Sequence, residues 1–597
     1  MTGDAHPIAD YGLIGDTRTT ALSSPRGSID WLCAPRLDSE PLFGRLIGGP
    51  AAGCFALGPA EPVHPGTIRR RYLPGTATLE TTWASDRSRL ILTEGFVANV
   101  TGTLLPTNLL VRRIECHGLA VSVRLQFDPR GGLDRRPLRS ESRSGLLVCS
   151  QGGLAVSLRT DAPVDVRPGL HHEFVLGDAE TLTAVLAIAD HEPLIDVSVA
   201  HAWSALCDTD HWWRSWSTDL AYDGPGRDQV VRSLITLRLL TYSPSGAPIA
   251  APTTSLPEAI GGERNWDYRY AWPRDASIGI AAFLAVGKHD EARSFLYWLL
   301  HASRLQRPRL PALLTIDGRP APGEREPVAW PGYRGSRPVR FGNAARHQHQ
   351  LDGYGWVLDG AWQLVRAGHR LYGETWRTLS SFADFAATHW QEPDAGIWEV
   401  RGEPRHYVHS KLMAWMGIDR ALRIAATHRT SKRRQRQWSE ARTALGREVT
   451  TRGVDTNRPS FVRAYDDTEL DGALLLAPLT QILEPRSPIM VGTIDAVRRE
   501  LSEGPFVYRY PPGHDGLAGG EGAFLPCSFW LVQGLAVTGR RRDAEDLFAE
   551  LIDAGNDLGL YPEEVDPVSG DYLGNYPQAL THATLVQAAL SLLDARG

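Results

Sequence analysis

The stretch DAGIWEVRGEPRHYVHSK, Asp394 to Lys411, sets Glu399 directly after Trp398 and follows it with Arg401, Arg405, His406 and Lys411. A carboxyl beside an indole wall loses solvent, which raises its pKa toward the range where it can donate a proton near neutrality. A second acidic stretch, GLYPEEVDPVSGDYLGNYPQALTH, carries Glu563, Glu564 and Asp566, a like-charged group that needs hydrogen bonds or cations from other loops. Glycoside hydrolysis uses such a pair of carboxyls on opposite sides of the anomeric carbon, one protonated to help the leaving oxygen depart and one ionised to act on water or on the sugar. RNWDYRYAWPRDAS (Arg264 to Ser277) and GNAARHQHQLDGYGWVLDG (Gly342 to Gly360) add the remaining chemistry of a sugar site. Aromatic faces stack on a pyranose, while Arg, Asp, Gln and Lys hydrogen-bond its hydroxyls. Glu399 and Glu563 are distant in sequence and converge only if their loops share one rim of a closed fold.

The elements that would supply that rim follow from periodicity. Residues 1–200 hold short apolar or alternating runs such as LLVRRIECHG, VSVRLQFDP and TLTAVLAIAD, bounded by Gly, Pro, Asp and Ser. Those are strands with tight turns, and SSPRGSIDWL (Ser23 to Leu32) reads as a hairpin turn feeding one; the half is expected to be an antiparallel β-sandwich. A Trp-rich helical linker follows at 201–225, its tryptophans in DHWWRSWS expected to pack between domains. From 226 to 597 the period becomes helical: Val230, Leu234, Leu237 and Leu240 share one face. Further helices are expected near 273–286, 289–303, 351–367, 375–390, 405–425, 434–450, 469–483, 488–503, 524–538, 541–555 and 577–594. Twelve helices in pairs predict a multidomain β + α chain ending in an (α/α)6 barrel, six helices inside six. Long aromatic loops such as EREPVAWPGYRGSRPVRFGN belong at one rim, where function concentrates. The β-domain is expected to pack on the barrel and lend the pocket a rim loop.

Composition narrows the partners. A formal net charge of -6, with Lys288, Lys411 and Lys432 the only lysines, provides no basic field for nucleic acid or anionic membrane. The run SKRRQRQ reads as a solvated helix start. No leader pattern or membrane-length apolar run is present, so a soluble cytoplasmic protein is expected. Six scattered cysteines without a C-x-x-C pair predict reduced thiols. His347 and His349 have ligand-like spacing but lack a partner set, so neither metal nor cofactor is expected. The sequence is compatible with a homo-oligomer.

The motifs IADYGLIGDTRTTALSSPRGSIDWLCAPRLDSEPLFGRLIGG, NWDYRYAWPRD, QHQLDGYGWVLD, GIWEVRGEPRHYVHSKLMAW, EGAFLPCSFWL and EEVDPVSGDYLGNYPQALTH occur in order along essentially the whole chain. Together they resemble the glucoamylase-like inverting hydrolases of glycoside hydrolase family 15, in particular the bacterial trehalase-like branch. The resemblance implies Glu399 as general acid and Glu563, opening Glu-x-x-Asp, as general base on water. It implies that Arg274 and Asp275 grip the non-reducing glucose in the −1 subsite, that Tyr268 and Trp272 line it, and that Trp398 backs Glu399. Glu521 is implied as a further rim carboxylate and, lying after a loop, is the alternative base, although the Glu563 segment matches the family pattern better. Val400 departs from starch-cleaving relatives, many of which carry a second acid there. Arg401, Arg405, His406 and Lys411 are then expected to shape a compact +1 pocket, as a disaccharide needs. The reaction implied is hydrolysis of trehalose, a small neutral carbohydrate. The alternative is a glucoamylase-type exo-hydrolase of α-1,4- or α-1,6-gluco-oligosaccharides. A sugar sensor would be expected to lose an acid or base, and a disaccharide phosphorylase would not need Glu563. A secondary reading of Arg274 and Asp275 is a helix-start salt bridge with Asp275 aiding the dipole.

Overall fold

A computed structural model describes residues 6–98, 108–143, 145–161, 165–511 and 519–594. Period-two burial marks the N-terminal strands: in Leu79–Ala84 every second side chain is buried, so each strand presents one face to a core. The strands form two antiparallel sheets. The first runs Gly12–Gly15, Thr20–Ser23, Ser28–Cys33, Phe55–Pro59, Val121–Phe127 and His171–Leu176, with Pro41–Phe43 pairing beside Ser28–Cys33. The second runs Arg139–Arg143, Leu146–Gln151, Leu154–Thr160, Thr181–Asp190, Asn108–Gly118, Ser88–Phe96, Leu79–Ala84 and Ile68–Tyr72. The expected hairpin joins Thr20–Ser23 to Ser28–Cys33 through Gly27, whose φ of +68° and approach to Leu57 O leave no room for a Cβ. On the second sheet, fully buried Arg112 pairs with its cross-strand neighbour Glu94 at 2.8 Å. Its Nη atoms donate to Phe55 O and Gly27 O of the first sheet at 2.7 Å each. A buried charge pair with its donors satisfied fixes how the sheets register.

Thr181–Asp190 is buried on both faces because helix α1 (Val199–Thr218) covers its outer side. Ser198 caps that helix by accepting the His201 N–H. Trp213 is buried, and Trp216 donates from Nε1 to Glu291 at 2.8 Å, carrying the helix across to the second half of the chain.

That half contains α2 (Arg227–Leu239), α3 (Pro273–Ala285), α4 (His289–Ala302), α5 (Asp352–Arg366), α6 (Gly373–His389), α7 (Val408–Ala425), α8 (Lys432–Arg452), α9 (Pro488–Glu500), α10 (Leu525–Val537), α11 (Arg541–Ile552) and α12 (Ala579–Asp594). The helix expected at 469–483 is instead a 3-10 segment, Gly472–Leu476, and one α-turn, Ala477–Thr480. Pro478 cannot continue the hydrogen-bond ladder and Gln481 turns left-handed, so the segment stays short. It still takes the place of a helix. The inner ring closes as α3 on α5, α5 on α7, α7 on residues 472–480, these on α10, α10 on α12 and α12 back on α3. Burial agrees, since every residue from Leu525 to Ala536 in α10 is buried. The outer helices α2, α4, α6, α8, α9 and α11 pack behind, giving the (α/α)6 barrel. Among the described residues no helix is long and apolar enough to cross a membrane. All six cysteines are free.

This topology positions the site. Every outer-to-inner connection (240–272, 303–351, 390–407, 453–471, 501–524 and 553–578) is long and reaches the rim where inner helices begin, whereas the returns are short. Inner-helix N-termini therefore face this rim, with dipole ends that favour carboxylates.

Candidate active site

At this rim lies a cavity of about 280 Å³ whose lining includes Glu258, Arg264, Trp266, Tyr268, Trp272, Arg274, Asp275, Gln348, Trp398, Glu399, Arg401, Arg509 and Tyr510. Its size is at the small end of ligand pockets. Pro273 opens α3, so Trp272 stands at its N-cap and Arg274 and Asp275 occupy the first turn. Arg274 Nε pairs with Asp275 at 2.8 Å while its Nη1 donates to Ile397 O at 2.9 Å, tying α3 to the loop that carries Glu399. That loop is strained: Glu399 has φ +57°, rare outside glycine. Trp272 Nε1 donates to Glu399 Oε1 at 2.6 Å, Gln350 Nε2 reaches the same oxygen at 3.3 Å, and Gln348 holds the Glu399 carbonyl at 3.0 Å. Burial raises the Glu399 pKa, opposed by Arg274, Trp272 and Gln350.

Glu563 lies just behind the lining. It is fully buried, its Oε1 accepts the hydroxyl of cavity-lining Tyr268 at 2.7 Å, and its Oε2 accepts the Asn575 N–H at 2.9 Å. Gly574, at φ +68°, makes room, since a Cβ there would meet Glu563 Oε2 at 2.4 Å. The next residues enter a three-stranded ribbon, Ala523–Phe524, Glu564–Val565 and Tyr572–Leu573, which brings the loops before α10 and α12 together. Burial first, then the charge of Glu258, pushes Glu563 up to about 8. Tyr268 and Trp272 meet edge to face at 5.6 Å, so their rings link Glu563 to Glu399 along one wall.

The other expected residues divide. Trp398 lines the cavity, donates to Asp471 at 2.8 Å and packs on Phe524 and Trp530. Arg401 also lines it, with its guanidinium 4.1 Å from the Trp266 ring and 2.6 Å from Glu324. Glu521 stands behind Arg264, Arg509 and Tyr510, all of which it touches. Lys411 does not reach the cavity: fully buried in α7, it donates to Trp390 O and Glu392 O at 2.7 and 2.6 Å, and burial lowers it to about 8. Arg405 turns away toward Asp467 and His406 stacks on Tyr465. Among the described residues the β-domain lends none to the lining. It buttresses the rim from behind: Trp31 Nε1 donates to Pro252 O at 2.7 Å, and Arg269 Nη1 donates to Ser39 O at 2.6 Å. His347 ends a 3-10 turn and His349 packs on Phe385 and Tyr354.

Sequence reasoning missed Glu258, Trp266, Asp352, Gln348, Gln350, Asp471 and Arg509. Gln348, Gln350 and Asp352 sit inside the QHQLDG motif, and Arg509 between two tyrosines, which were the available signals. Asp352, fully buried at the start of α5 with neither carboxyl oxygen hydrogen-bonded, is pushed up to about 7 by burial. Glu258, Glu563 and Glu564 offer oxygens within 4.8 Å of one another, close enough for a cation; Arg509 Nη2 already stands 2.8 Å from Glu258 and 2.9 Å from Glu564. No other such group occurs among the described residues.

Residues 224–590 match the model of glycosyl hydrolases family 15, and residues 1–200 match that of the trehalase-like N-terminal domain. A protein named trehalase from Mycolicibacterium smegmatis is 35% identical over 619 residues, covering 99% of this chain and 92% of its own. A trehalase from Thermoplasma volcanium is 30% identical over 598 residues, covering 100% and 95%. A bacterial glucoamylase solved with acarbose superposes with a TM-score of 0.73 over 99% of this chain and 95% of its own, at 14% identity, which is a likeness of fold.

Proposed function

From the premise that this chain belongs to glycosyl hydrolases family 15, and so acts on a glycosidic bond of a carbohydrate, we propose that it hydrolyses trehalose to two glucoses with inversion. Glu399 protonates the departing glycosidic oxygen. A water attacks the anomeric carbon from the other face, Glu563 takes its proton, and β-glucose leaves with the second glucose. Arg274 and Asp275 hold the −1 glucose against Trp272 and Tyr268, with Trp398 behind, and Arg401 stacked on Trp266 bounds the +1 site. The observation that carries this reading is one small cavity bordered by Glu399 and by Tyr268, the hydroxyl that holds Glu563. Full-length similarity to two proteins named trehalase supports the substrate. The chain's limits are read as 1–200, 201–225 and 226–597, and its place as the cytoplasm. Fractionation tests the location, and light scattering tests for a homo-oligomer.

Glucose release from trehalose, maltose, isomaltose, kojibiose and soluble starch tests the reading, with NMR following the anomer and Glu399→Gln as control. Rapid release from trehalose with β-glucose appearing first is expected. Preference for maltose or longer chains would replace trehalose with the exo-hydrolase alternative.

A further inference from the structure

At and behind one wall of the cavity four carboxylates, Glu258, Glu521, Glu563 and Glu564, gather with two guanidiniums, Arg264 and Arg509, of which Glu258 and both arginines line it. Glu258, Glu563 and Glu564 are buried, the last two at 0% exposure, and the Glu521 side chain is 6% exposed. A buried carboxylate stays ionised only where donors reach its oxygens. Glu521 receives Arg509 Nε at 3.1 Å on Oε1, and on Oε2 Arg509 Nη2 at 2.7 Å, the Tyr510 hydroxyl at 3.1 Å and Arg264 Nη1 at 3.3 Å. Glu258 receives Trp266 Nε1 at 3.0 Å and Arg509 Nη2 at 2.8 Å. Both oxygens of Glu563 are served, by Tyr268 and Asn575.

Glu564 differs. Its Oε2 accepts the Gly522 N–H at 2.9 Å, but Oε1 accepts no hydrogen bond, although it lies 2.9 Å from Arg509 Nη2. The reason is a count of protons: Nη2 carries two, and they point to Glu258 and Glu521. Oε1 therefore meets the nitrogen without a hydrogen between them.

We propose that Glu564 carries the resident proton of this cluster on Oε1 and is a positioning residue whose neutrality lets Glu563 stay ionised. This rests on the reading of Glu563 as base. Were Glu564 charged, its repulsion would move the shared proton toward Glu563, leaving the base occupied; protons in such a group come off in steps that belong to the cluster. Glu258 and Glu563 each bring a carboxyl oxygen within 4.8 Å of one of Glu564's. Asp471 and Arg463 lie beyond Arg509, and buried Cys527 packs beside it. The directions agree, since burial raises Glu564 well above the usual carboxylate range despite Arg509.

The test combines two readouts on the full chain. Infrared difference spectra of ¹³C-glutamate-labelled protein at pH 7 should contain, beside the band of the protonated acid Glu399, a second protonated-carboxyl C=O band that is lost in Glu564→Gln and retained in Glu563→Gln and in Glu399→Gln. The acid limb of the kcat/KM profile in Glu564→Gln should overlie that of the wild type within about 0.3 unit, because the amide reproduces a neutral carboxyl. In Glu258→Gln the limb should move down by about 1 unit as a like charge is removed. A second band, beyond that of Glu399, that survives Glu564→Gln, or a limb shifted down by about 1 unit in that variant, would overturn the proposal. Failure of Glu564→Gln to fold would count against it equally, since neutral replaces neutral. The infrared assignment does not depend on catalysis, so an active Glu563→Gln would sink the base reading and leave the location of the proton separately decided.

Discussion

The two carboxyl centres of the cavity are built by opposite means. Glu399 stands on a loop with a left-handed backbone, served by one indole, one amide and one arginine, and desolvation raises its pKa. Glu563 is locked beside a β-ribbon among three other acids, where burial and like charge both push it upward. The difference teaches where each is vulnerable: the acid depends on a few directional contacts, the base on the charge balance of a whole cluster.

The sharpest break between them should come from removing each carboxyl in turn. Glu399→Gln and Glu563→Gln are each expected to lower kcat on trehalose by about 10²–10⁴-fold. With α-glucosyl fluoride, whose leaving group needs no proton, Glu399→Gln should recover most of its rate and Glu563→Gln little. Equal recovery would erase the distinction between the two centres.

A smaller effect should follow from Trp272→Phe, which removes a hydrogen bond to a charged group worth about 1.5–3 kcal/mol, or about tenfold or more in rate. That N–H favours the ionised form of Glu399, so its loss raises the pKa and moves the basic limb of the pH profile to higher pH. No comparable shift of that limb is expected from changes around Glu563.

Stability should separate the centres in the other direction. Glu564, which holds the proton of the base's cluster, is raised in the folded state well above its unfolded value of about 4.3, so the folded state binds more protons and stability falls as pH rises above that value. Glu564→Gln removes that loss. The variant should melt higher than the wild type at pH 8 and show little difference at pH 4, read by calorimetry at both values.

The smallest effect on turnover is expected from Lys411→Met. KM for trehalose should stay within about twofold, while the loss of donors to Trp390 O and Glu392 O costs about 1–3 kcal/mol of stability. A large rise in KM would return Lys411 to the +1 site.

Much of this was legible in the residues. Period two and period 3.6 locate strands and helices because burial of one face is a local consequence of spacing, and eleven of the twelve expected barrel helices form close to their expected spans. The exception, 469–483, failed because apolar spacing alone does not register a proline and a left-handed residue that shorten the element. Trp398–Glu399 and Arg274–Asp275 were visible because each pair is contiguous.

What the sequence by itself determined is therefore the set of elements and the adjacent chemical pairs, both of which depend on neighbours within a few positions. Only the tertiary structure decided that Arg509, Glu258 and Glu521 gather around Glu563, that Lys411 turns away from the cavity, and that the described residues of the β-domain support the rim without lining it. Those outcomes depend on how six loops of unrelated sequence meet where the inner helices begin. Electrostatic coupling there falls with distance in space, which separation along the chain does not reveal.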